Sequence, residues 1–518
     1  MAIVGACMVP HPPMIIPEIG QGSEKKIRKT IAAYEKTAEF VADCEPDTIV
    51  LASPHSVQYL DYFHISPGYG ADGDFEEFGV KKVKFHVDYD VQFTEMLSKL
   101  AREAGIPAGT RGEKFPALDH GTMVPLHFIN PKCPEYHLVR IGLSGETFED
   151  HYRLGMLIRD TAEILGRRVF FVASGDLSHK LRKDGPYGFD PAGPVYDERI
   201  MDVMGRGAFD ELLDFDENFC NKAAECGHRS FVMMAGALDR TRVRVKKLVH
   251  QDVTGVGYGI CVYRSGGEDL SRDMLDRWLR REKKKLHARR KKEDPYVQLA
   301  RKAVEEYVRS GKPIREKDAL REILGERIPD PDGDEKNHNG GNNSGRSKEK
   351  IRGRRAWNQN LPELTEADLD DEAASVWENL TEGSAGVFVS IHKRGRLRGC
   401  IGTISAVKDS IAEEISANAR SACSADPRFE PVKISELEWL DYSVDVLGKT
   451  ERIESPEELD VKRYGVIVTK GNKRGLLLPN LDGVDTVRRQ IEIAKQKAGI
   501  DPKDRDVQLE RFEVVRHY

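Results

Sequence analysis

The segment IVGACMVPHPP, residues 3–13, is an apolar run of strand character that ends in a histidine set among three prolines. A second run of the same kind, TIVLASPH at residues 48–55, also ends in a histidine. Short β-branched runs alternate with helical patterns as far as residue 264, which predicts an α/β domain with a mixed sheet flanked by helices. His11 and His55 are therefore predicted to emerge at one edge of this sheet, where open α/β sheets bind their ligands.

The predicted elements of this first domain follow from composition and periodicity. The strands are short apolar runs, and they are predicted at residues 3–9, 48–52, 138–141, 168–173 and 256–263. The helices repeat apolar residues at helical spacing, and they are predicted at residues 24–42, 91–104 and 148–165. The domain is assigned residues 1–265.

The totals agree with a globular chain of several domains. At roughly 150 residues per domain, 518 residues lead us to expect at least two cores. The chain is 39% hydrophobic and 32% charged, which is typical of a globular protein. Its formal net charge of −6 does not indicate any particular class of partner. No apolar run approaches the roughly 18 residues of a membrane helix, and the start lacks a signal peptide's basic region, so we expect a cytoplasmic protein with no membrane partner. The 8 cysteines form no CxxC pair and are expected to be reduced thiols.

Three further segments of the first domain carry polar side chains beside glycines. They are LDHGT at residues 118–122, SGDLSH at residues 174–179 and AECGH at residues 224–228. Taken alone, each histidine in such a segment is more often a packed or surface residue than a metal ligand. The coincidence of five segments favours a metal site.

In the same order, the strings PHPP, SPH, LDHGTMVPL, SGDLSH and AAECGHRS resemble those of the LigB-like class III extradiol dioxygenases, over about residues 3–263. The resemblance implies a non-haem Fe(II) held by His11, His55 and Glu225 as a two-histidine, one-carboxylate facial triad. The open face of the metal would take dioxygen and a small aromatic substrate of the catechol-like or aminophenol-like class.

The same resemblance assigns two catalytic histidines. His179 would be the acid/base residue, which takes a proton from the substrate hydroxyl and returns it during ring opening. His120 would donate a hydrogen bond to the bound substrate or oxygen.

The residue after Glu225 leaves the ligand set open. Cys226 stands near the position where the related Memo proteins, which share the fold, place a cysteine among their metal ligands. A thiolate would favour softer or different metal chemistry and would weaken the dioxygenase interpretation. Fe(II) is the predicted metal, with zinc and copper as alternatives. We predict Glu225 as the third ligand because the surrounding motif is closer to the dioxygenases, with Cys226 as the alternative.

The second half of the chain predicts an α+β domain at residues 294–518, after a basic helical linker at residues 266–293. A Gly- and Asn-rich insertion at about residues 329–356 is expected to be disordered. We interpret the linker's run RREKKKLHARRKK as a solvated helix face. Nucleic-acid binding is not predicted, because no recognition motif accompanies the run.

Within this second domain, LRGCIGT at residues 397–403 sets Cys400 among glycines that allow a close backbone approach. Arg398 nearby would favour a nucleophilic thiolate, whereas burial would make the thiol inert, and the residues alone leave both readings open. With DPRFEP at residues 426–431 and GLLLP at residues 475–479, the segment resembles the AMMECR-type domain. The resemblance implies no substrate. The candidate site there comprises Arg398, Gly399, Cys400, Gly402 and Arg428.

Together the two domains resemble a family of fused proteins called AmmeMemoRadiSam system protein A. This resemblance implies a radical SAM protein as partner. Two hypotheses follow. The first is an Fe(II)-dependent extradiol dioxygenase. The second is a non-oxygenase metal protein that acts with a Memo-like protein and the radical SAM partner. An RNA-associated role for the second domain is disfavoured by the net charge of −6.

Overall fold

A computed structural model describes residues 2–325, 366–481, 483–504 and 506–518. The chain divides into two compact units, Met1–Arg281 and Glu282–Tyr518. The insertion predicted at about residues 329–356 lies outside the described residues. Along the described residues, no helix combines the length and the apolar character needed to span a membrane.

The first unit is built on a mixed sheet. Its strands are β1 (Ile3–Val9), β2 (Thr48–Ser53), β3 (Phe63–His64), β4 (Gly70–Phe75), β5 (Val80–Asp88), β6 (Ala108–Gly109), β7 (His137–Gly142), β8 (Val169–Ser174), β9 (Thr241–Gln251) and β10 (Tyr258–Glu268). The main sheet has six strands in the order β7-β2-β8-β1-β10-β9. The pairs β7–β2, β2–β8 and β8–β1 are parallel, and the pairs β1–β10 and β10–β9 are antiparallel. The predicted mixed sheet is confirmed.

Helices cover both faces of this sheet. The helices of the first unit are α1 (Pro17–Gly20), α2 (Arg28–Ala42), α3 (Val91–Glu103), α4 (His120–Ile129), α5 (Phe148–Leu165), α6 (Ala192–Arg206), α7 (Glu217–Ala223) and α8 (His228–Ala237). Strand β8 is buried along its whole length, as a parallel strand covered on both faces must be. Phe171 on β8 joins the core formed with α3, α5, α6 and α8, whereas Phe170 and Val172 join the core formed with α2 and α4.

The boundary between the units falls within helix α9 (Met274–Arg290). Its first turns bury Met274, Leu275 and Trp278 in the core of the first unit. Several of its basic side chains form ion pairs, such as Arg281 with Asp214. Residues 266–268, which were predicted to belong to the linker, lie in β10.

The second unit contains two antiparallel sheets. Its strands are β11 (Val387–Lys393), β12 (Arg396–Gly402), β13 (Leu440–Leu447), β14 (Glu451–Ile453), β15 (Gly465–Lys470), β16 (Lys473–Leu477), β17 (Gln508–Phe512) and β18 (Val514–His517), and its helices are α10 (Pro295–Ser310), α11 (Glu316–Leu324), α12 (Glu366–Glu382), α13 (Ile411–Ser424) and α14 (Val487–Ala498). The sheet orders are β12-β11-β13-β18 and β14-β17-β15-β16. Helices α10 and α13 pack on the first sheet and α14 packs on the second, so the predicted α+β class is confirmed.

Candidate metal centre

The candidate metal centre lies where three parallel strands of the first unit end. His11 follows β1, His55 follows β2, and the segment SGDLSH begins at the last residue of β8. The neighbouring strands β1, β2 and β8 run in the same direction, so their carboxyl ends meet at one edge of the sheet. The sheet therefore brings His11 and His55 together, as the strand ends predicted.

His11 is held in one orientation and one tautomer. The residue is buried, and its backbone N–H donates to Oδ1 of Asp176 at 2.8 Å. Its Nδ1 lies 2.9 Å from Oγ of Ser174, and that hydroxyl donates its only proton to the carbonyl oxygen of Gly121 at 2.6 Å. The Ser174 oxygen can therefore only accept from His11, so Nδ1 carries the proton and Nε2 keeps a free lone pair.

Three ligand-type atoms converge at this lone pair. Nε2 of His55 lies 3.0 Å from Nε2 of His11, and Sγ of Cys226 lies 3.5 Å from the same nitrogen. All three atoms lie within 4.8 Å of one another, as ligands of a single ion must. His11, His55 and Cys226 thus form a group that could hold a metal ion.

Both imidazoles are neutral near pH 7. Burial, followed by the charges of neighbouring histidines, lowers the pKa of His11 well below its ordinary value. His55 has an exposed edge, yet desolvation by the surrounding protein and the charge of His120 lower its pKa to about 4. Neutral imidazole is the form that binds metals.

Cys226 is positioned by two loops in backbone contact. Its Sγ accepts a hydrogen bond from the backbone N–H of Asp176 at 3.3 Å. A Cβ atom added to Gly175 would lie 2.1 Å from Cα of Gly227, so only glycine fits where the two loops meet. Burial, reinforced by the charges of Asp176 and Glu225, raises the pKa of the Cys226 thiol well above its ordinary value.

The carboxylate of Glu225 has a different partner. Its Oε2 accepts a hydrogen bond of 2.6 Å from the backbone N–H of His228, the first residue of α8. Carboxylates stabilise helix N-termini in this way. Burial raises the pKa of Glu225 to about 7. Among the described residues, the structure brings Cys226 rather than Glu225 into the group with His11 and His55.

His120 lies beside this group at the start of α4. The centres of its ring and the His55 ring are 4.0 Å apart, and its Nδ1 lies 3.4 Å from Oε1 of Glu77. Asp119 caps α4 by accepting a hydrogen bond from the backbone N–H of Thr122 at 3.0 Å. This cap fixes where the helix begins, and His120 is its first residue. Burial lowers the pKa of His120.

His179 approaches the group from the segment after β8. Its ring stacks on Tyr187 with ring centres 4.9 Å apart, and its Nε2 lies 3.9 Å from Oδ2 of Asp176. That nitrogen is buried and has no hydrogen-bond partner in the described part of the chain. Burial, followed by the charge of His55, lowers the pKa of His179 to about 4. A neutral imidazole with one unsatisfied nitrogen is a suitable proton acceptor.

Sequence reasoning missed Ser174 and Asp176. Ser174 sets the tautomer of His11, and Asp176 binds the backbone of His11 and donates its own N–H to Cys226. Burial raises the pKa of Asp176 to about 7. The available signal was a set of polar residues at the end of a fully buried strand. Buried polar atoms need hydrogen-bond partners, so each of these residues is expected to have one.

Two cavities reach the group. A cavity of about 920 Å³ is lined by residues that include His55, Glu77, Phe85, Leu118, Asp119 and His120. A second cavity of about 480 Å³ is lined by residues that include His55, Tyr59, Leu60, Glu225, Cys226 and Arg229. His55 lines both cavities and Cys226 lines the second, so each cavity reaches at least one residue of the group.

Comparison with known proteins gives the family. A family model described as the catalytic LigB subunit of aromatic ring-opening dioxygenase matches residues 5–261, and the AMMECR1 model matches residues 297–517. Protein CA_C1420 of Clostridium acetobutylicum is 36% identical, with 100% of this chain and 99% of that protein aligned. The chain belongs to the LigB–AMMECR1 fusion family. The predicted order of a LigB-like domain and an AMMECR-type domain is thereby confirmed.

Other relatives match parts of the LigB–AMMECR1 chain. A Thermotoga maritima protein is 51% identical over 28% of this chain and 83% of its own length. Among solved structures, the Pyrococcus horikoshii protein PH0010 is 26% identical, with a TM-score of 0.30 over 43% of this chain and 88% of its own. The Escherichia coli K12 protein JW3007 is 15% identical, with a TM-score of 0.33 over 50% of this chain and 99% of its own.

In the AMMECR1 domain, Arg398, the residue considered as a partner of the Cys400 thiol, hydrogen-bonds Glu436. The guanidinium of Arg398 donates to both carboxylate oxygens of Glu436, from Nε at 3.1 Å and from Nη2 at 3.0 Å. Lys393 donates to the same carboxylate at 3.0 Å. Burial by itself raises the pKa of Glu436, but these hydrogen bonds outweigh it and hold the pKa at about 2.

The other predicted site residues of the AMMECR1 domain are Arg428, Gly399 and Gly402, and of these Arg428 hydrogen-bonds the backbone of Cys400. The guanidinium of Arg428 donates to the Cys400 carbonyl at 3.1 Å. A Cβ on Gly399 would lie 2.2 Å from the carbonyl oxygen of Ala422 in α13, so this glycine allows helix and strand to pack closely. A Cβ on Gly402 would meet the ring of Phe388 at 2.2 Å.

Proposed function

We propose that the LigB domain is a metal-dependent domain that holds one transition-metal ion through His11, His55 and Cys226. The observation that carries this proposal is the convergence of two imidazole nitrogens and one sulfur within 4.8 Å. The tautomer of His11, fixed by Ser174, supports it because the free lone pair points at the other two atoms.

The donor set limits the choice of metal. Two imidazoles and one thiolate suit zinc, copper and iron, whereas magnesium and calcium prefer oxygen ligands. When bound, the ion would supply Lewis-acid or redox chemistry to a molecule in the adjoining cavities. A thiolate ligand favours the second of our two hypotheses, a metal protein that does not cleave aromatic rings.

The histidines near the ion would handle protons. His179 presents a buried nitrogen with no partner in the described residues, and burial keeps its imidazole neutral near pH 7, so this nitrogen is available to a proton of a bound hydroxyl group. His120, at the edge of the larger cavity, is placed to hold the same molecule through a hydrogen bond. Both roles apply to any substrate with an acidic hydroxyl group.

A second candidate function is extradiol-type ring cleavage of a catechol-like or aminophenol-like aromatic. It is favoured by the LigB model match over residues 5–261 and by the two histidines beside the group. On this candidate, Fe(II) would be the resident metal. A Memo-like protein and a radical SAM protein as partners are a further proposal, which rests on the sequence resemblance alone.

Metal analysis after anaerobic purification tests the proposal, with Cys226→Ala and Glu225→Gln as a matched pair of neighbouring substitutions. We expect about one ion per chain in the wild type, loss of the ion in Cys226→Ala and its retention in Glu225→Gln. The reverse pattern would show that Glu225 is the ligand and would overturn the His₂Cys centre.

Oxygen consumption by the iron-loaded protein separates the two functions. A panel of catechols and aminophenols that gives no uptake above the metal-free control supports the non-oxygenase function. Uptake that depends on both substrate and iron, and that disappears in His179→Ala, would establish the dioxygenase function instead.

A further inference from the structure

The smaller cavity beside the candidate metal centre contains an arginine whose charge the protein leaves almost unpaired. This cavity of about 480 Å³ is lined by Arg229 together with His55 and Cys226, two of the three candidate metal ligands. Arg229 is the second residue of α8, and its side chain is 23% exposed. Burial of a charged group is costly unless the group is paired and hydrogen-bonded, so the partners of Arg229 bear on what this cavity can bind.

The contacts of Arg229 are few and long. Its Nη2 lies 3.8 Å from Oε2 of Glu217, which is beyond hydrogen-bond distance, and its guanidinium carbon lies 5.0 Å from the centre of the Phe148 ring. Its Nε is buried and has no hydrogen-bond partner in the described part of the chain. The guanidinium of Arg229 therefore keeps donors that a bound molecule can use.

Two other arginines of the LigB domain that are buried more deeply have their donors satisfied. Arg140 is fully buried and donates three hydrogen bonds of 2.8 Å. Arg159 is 14% exposed and donates from Nη1 and Nη2 at 2.9 and 2.8 Å. The protein itself supplies the acceptors for these two groups. Arg229 differs from them because it lines a cavity, where an acceptor can come from outside.

The other polar groups of this cavity define the charge that it accepts. Ser144 is buried, and its Oγ accepts from the backbone N–H of Glu146 at 3.2 Å, so its hydroxyl proton is available as a second donor. Glu225 is the acidic residue of the lining, and its carboxylate is held by the backbone N–H of His228 at 2.6 Å. Because a doubly charged phosphate would be repelled more strongly by this carboxylate, the cavity favours a singly charged anion.

We propose that the smaller cavity binds a small organic molecule through a carboxylate group that pairs with Arg229. The planar guanidinium matches the two oxygens of a carboxylate, and Ser144 adds a neutral donor in the same cavity. Leu60 and Leu143 supply apolar walls for the body of the molecule. The inference rests on the proposed function and deepens it, because it names the class of molecule that reaches the ion from the side of Cys226.

The test measures how the full-length chain binds isovalerate and isovaleramide, which have the same shape and differ in charge. Saturation-transfer NMR titrations follow the methyl groups of both probes. We expect isovalerate to bind about tenfold more tightly than isovaleramide, because hydrogen bonds between ionised groups are stronger than neutral ones. The titrations are run on the protein as purified and after dialysis against a chelator, and the preference for isovalerate should persist without the metal.

Arg229→Gln is the decisive variant, and Arg206→Gln is its control. Arg206 is 48% exposed, is ion-paired with Asp202 and Glu211 and does not line the cavity. Arg229→Gln should weaken isovalerate binding about tenfold and leave isovaleramide binding unchanged, because the charged donor is lost. Arg206→Gln should change neither affinity. Arg229→Lys keeps the charge and loses the planar fork, so it should weaken isovalerate binding about threefold, and it carries the test if the uncharged variant is unstable.

Equal binding of the two probes by the wild type, or isovalerate binding that is unchanged in both Arg229 variants, overturns the carboxylate site. Metal analysis separates this result from the metal centre, since Arg229→Gln should retain the ion and Cys226→Ala should lose it. A carboxylate site that is overturned while Cys226→Ala loses the ion leaves the metal centre intact. Isovalerate binding that depends on Arg229, with the ion retained in Cys226→Ala, supports the carboxylate site and overturns the His₂Cys centre.

Discussion

The candidate metal centre of the LigB domain and the surroundings of Cys400 in the AMMECR1 domain each contain a partly exposed cysteine, but the fold positions the two cysteines differently. Cys226 lies on a loop, and its partners follow strand ends that meet at the edge of a parallel sheet. Cys400 lies within a strand, and a loop clamps its backbone. Loops at several strand ends can bring side chains from different parts of the chain to one ion. A residue within a strand instead presents a single side chain to a molecule that approaches from solvent.

The largest expected effect tests whether metal binding is confined to the first of these sites. His11→Ala removes the imidazole that both other ligand atoms approach, and we expect the ion to be lost almost completely. Cys400→Ser should keep the wild-type metal content. The metal content of both variants can be measured by elemental mass spectrometry. Metal retained in His11→Ala, or lost in Cys400→Ser, would contradict the separation of the two sites.

The next effect concerns the ion pairs that Glu436 forms with Arg398 and Lys393 in the AMMECR1 domain. Glu436 has a pKa of about 2 in the folded protein against an ordinary 4.5, so its stabilising contribution is complete above about pH 4.5 and disappears as the pH falls toward 2. Glu436→Gln should destabilise the AMMECR1 domain by about 3 kcal/mol near neutral pH, by the size of that shift. Calorimetry near pH 7 and near pH 3 should show a smaller difference at the lower pH. A pH-independent difference would mean that Glu436 acts through packing alone.

A smaller loss is expected where the two loops of the metal centre touch. Gly175→Ala places a Cβ 2.1 Å from the backbone of Gly227, and we expect a loss of about 1–3 kcal/mol in the free energy of unfolding. Gly205→Ala is the matched control, because the nearest atom to its new Cβ is a flexible lysine carbon at 3.7 Å. Gly205 lies within α6, so alanine should be neutral or stabilising there. Equal effects of the two changes would remove the argument for close loop contact.

The smallest effect sharpens the account of His11. Ser174→Ala removes the acceptor that keeps the proton on Nδ1, and metal affinity should fall by about tenfold, at the lower end for such indirect partners. Ser390→Ala, the matched change beside Cys400, should leave metal affinity unchanged. Competition with a chelator of known affinity measures both. An unchanged affinity in Ser174→Ala would mean that the hydroxyl does not select the tautomer.

The sheet was predictable wherever its strands are apolar. β1 was predicted at its observed residues, and β2 and β8 were predicted within one residue at each end. β9 was not predicted, because its sequence TRVRVKKLVHQ is largely polar and lies at the sheet edge. The hairpin of β4 and β5 was missed for the same reason, since its residues are mostly glycine or charged.

The candidate site was predictable as a set of segments but not as a set of contacts. Glu225 and Cys226 are neighbours, and the direction of each side chain depends on a turn that begins at Ala224, whose φ of 51° is left-handed. Sequence reasoning favoured Glu225 as the ligand, and that assignment stays a prediction. In the same way, Arg398 lies two residues from Cys400, but its partner Glu436 is 38 residues away in sequence. Such long-range partners leave no local pattern.

The contact between Gly175 and Gly227 also limits how the LigB domain can be redesigned. One loop carries Asp176 and His179, and the other carries Glu225 and Cys226, with no side chain between the two backbones to absorb a change in either. A loop grafted from a relative would fit only together with its counterpart. The residues proposed for proton transfer and those proposed for metal ligation therefore lie on loops that must change together, and directed evolution should vary both loops in the same library.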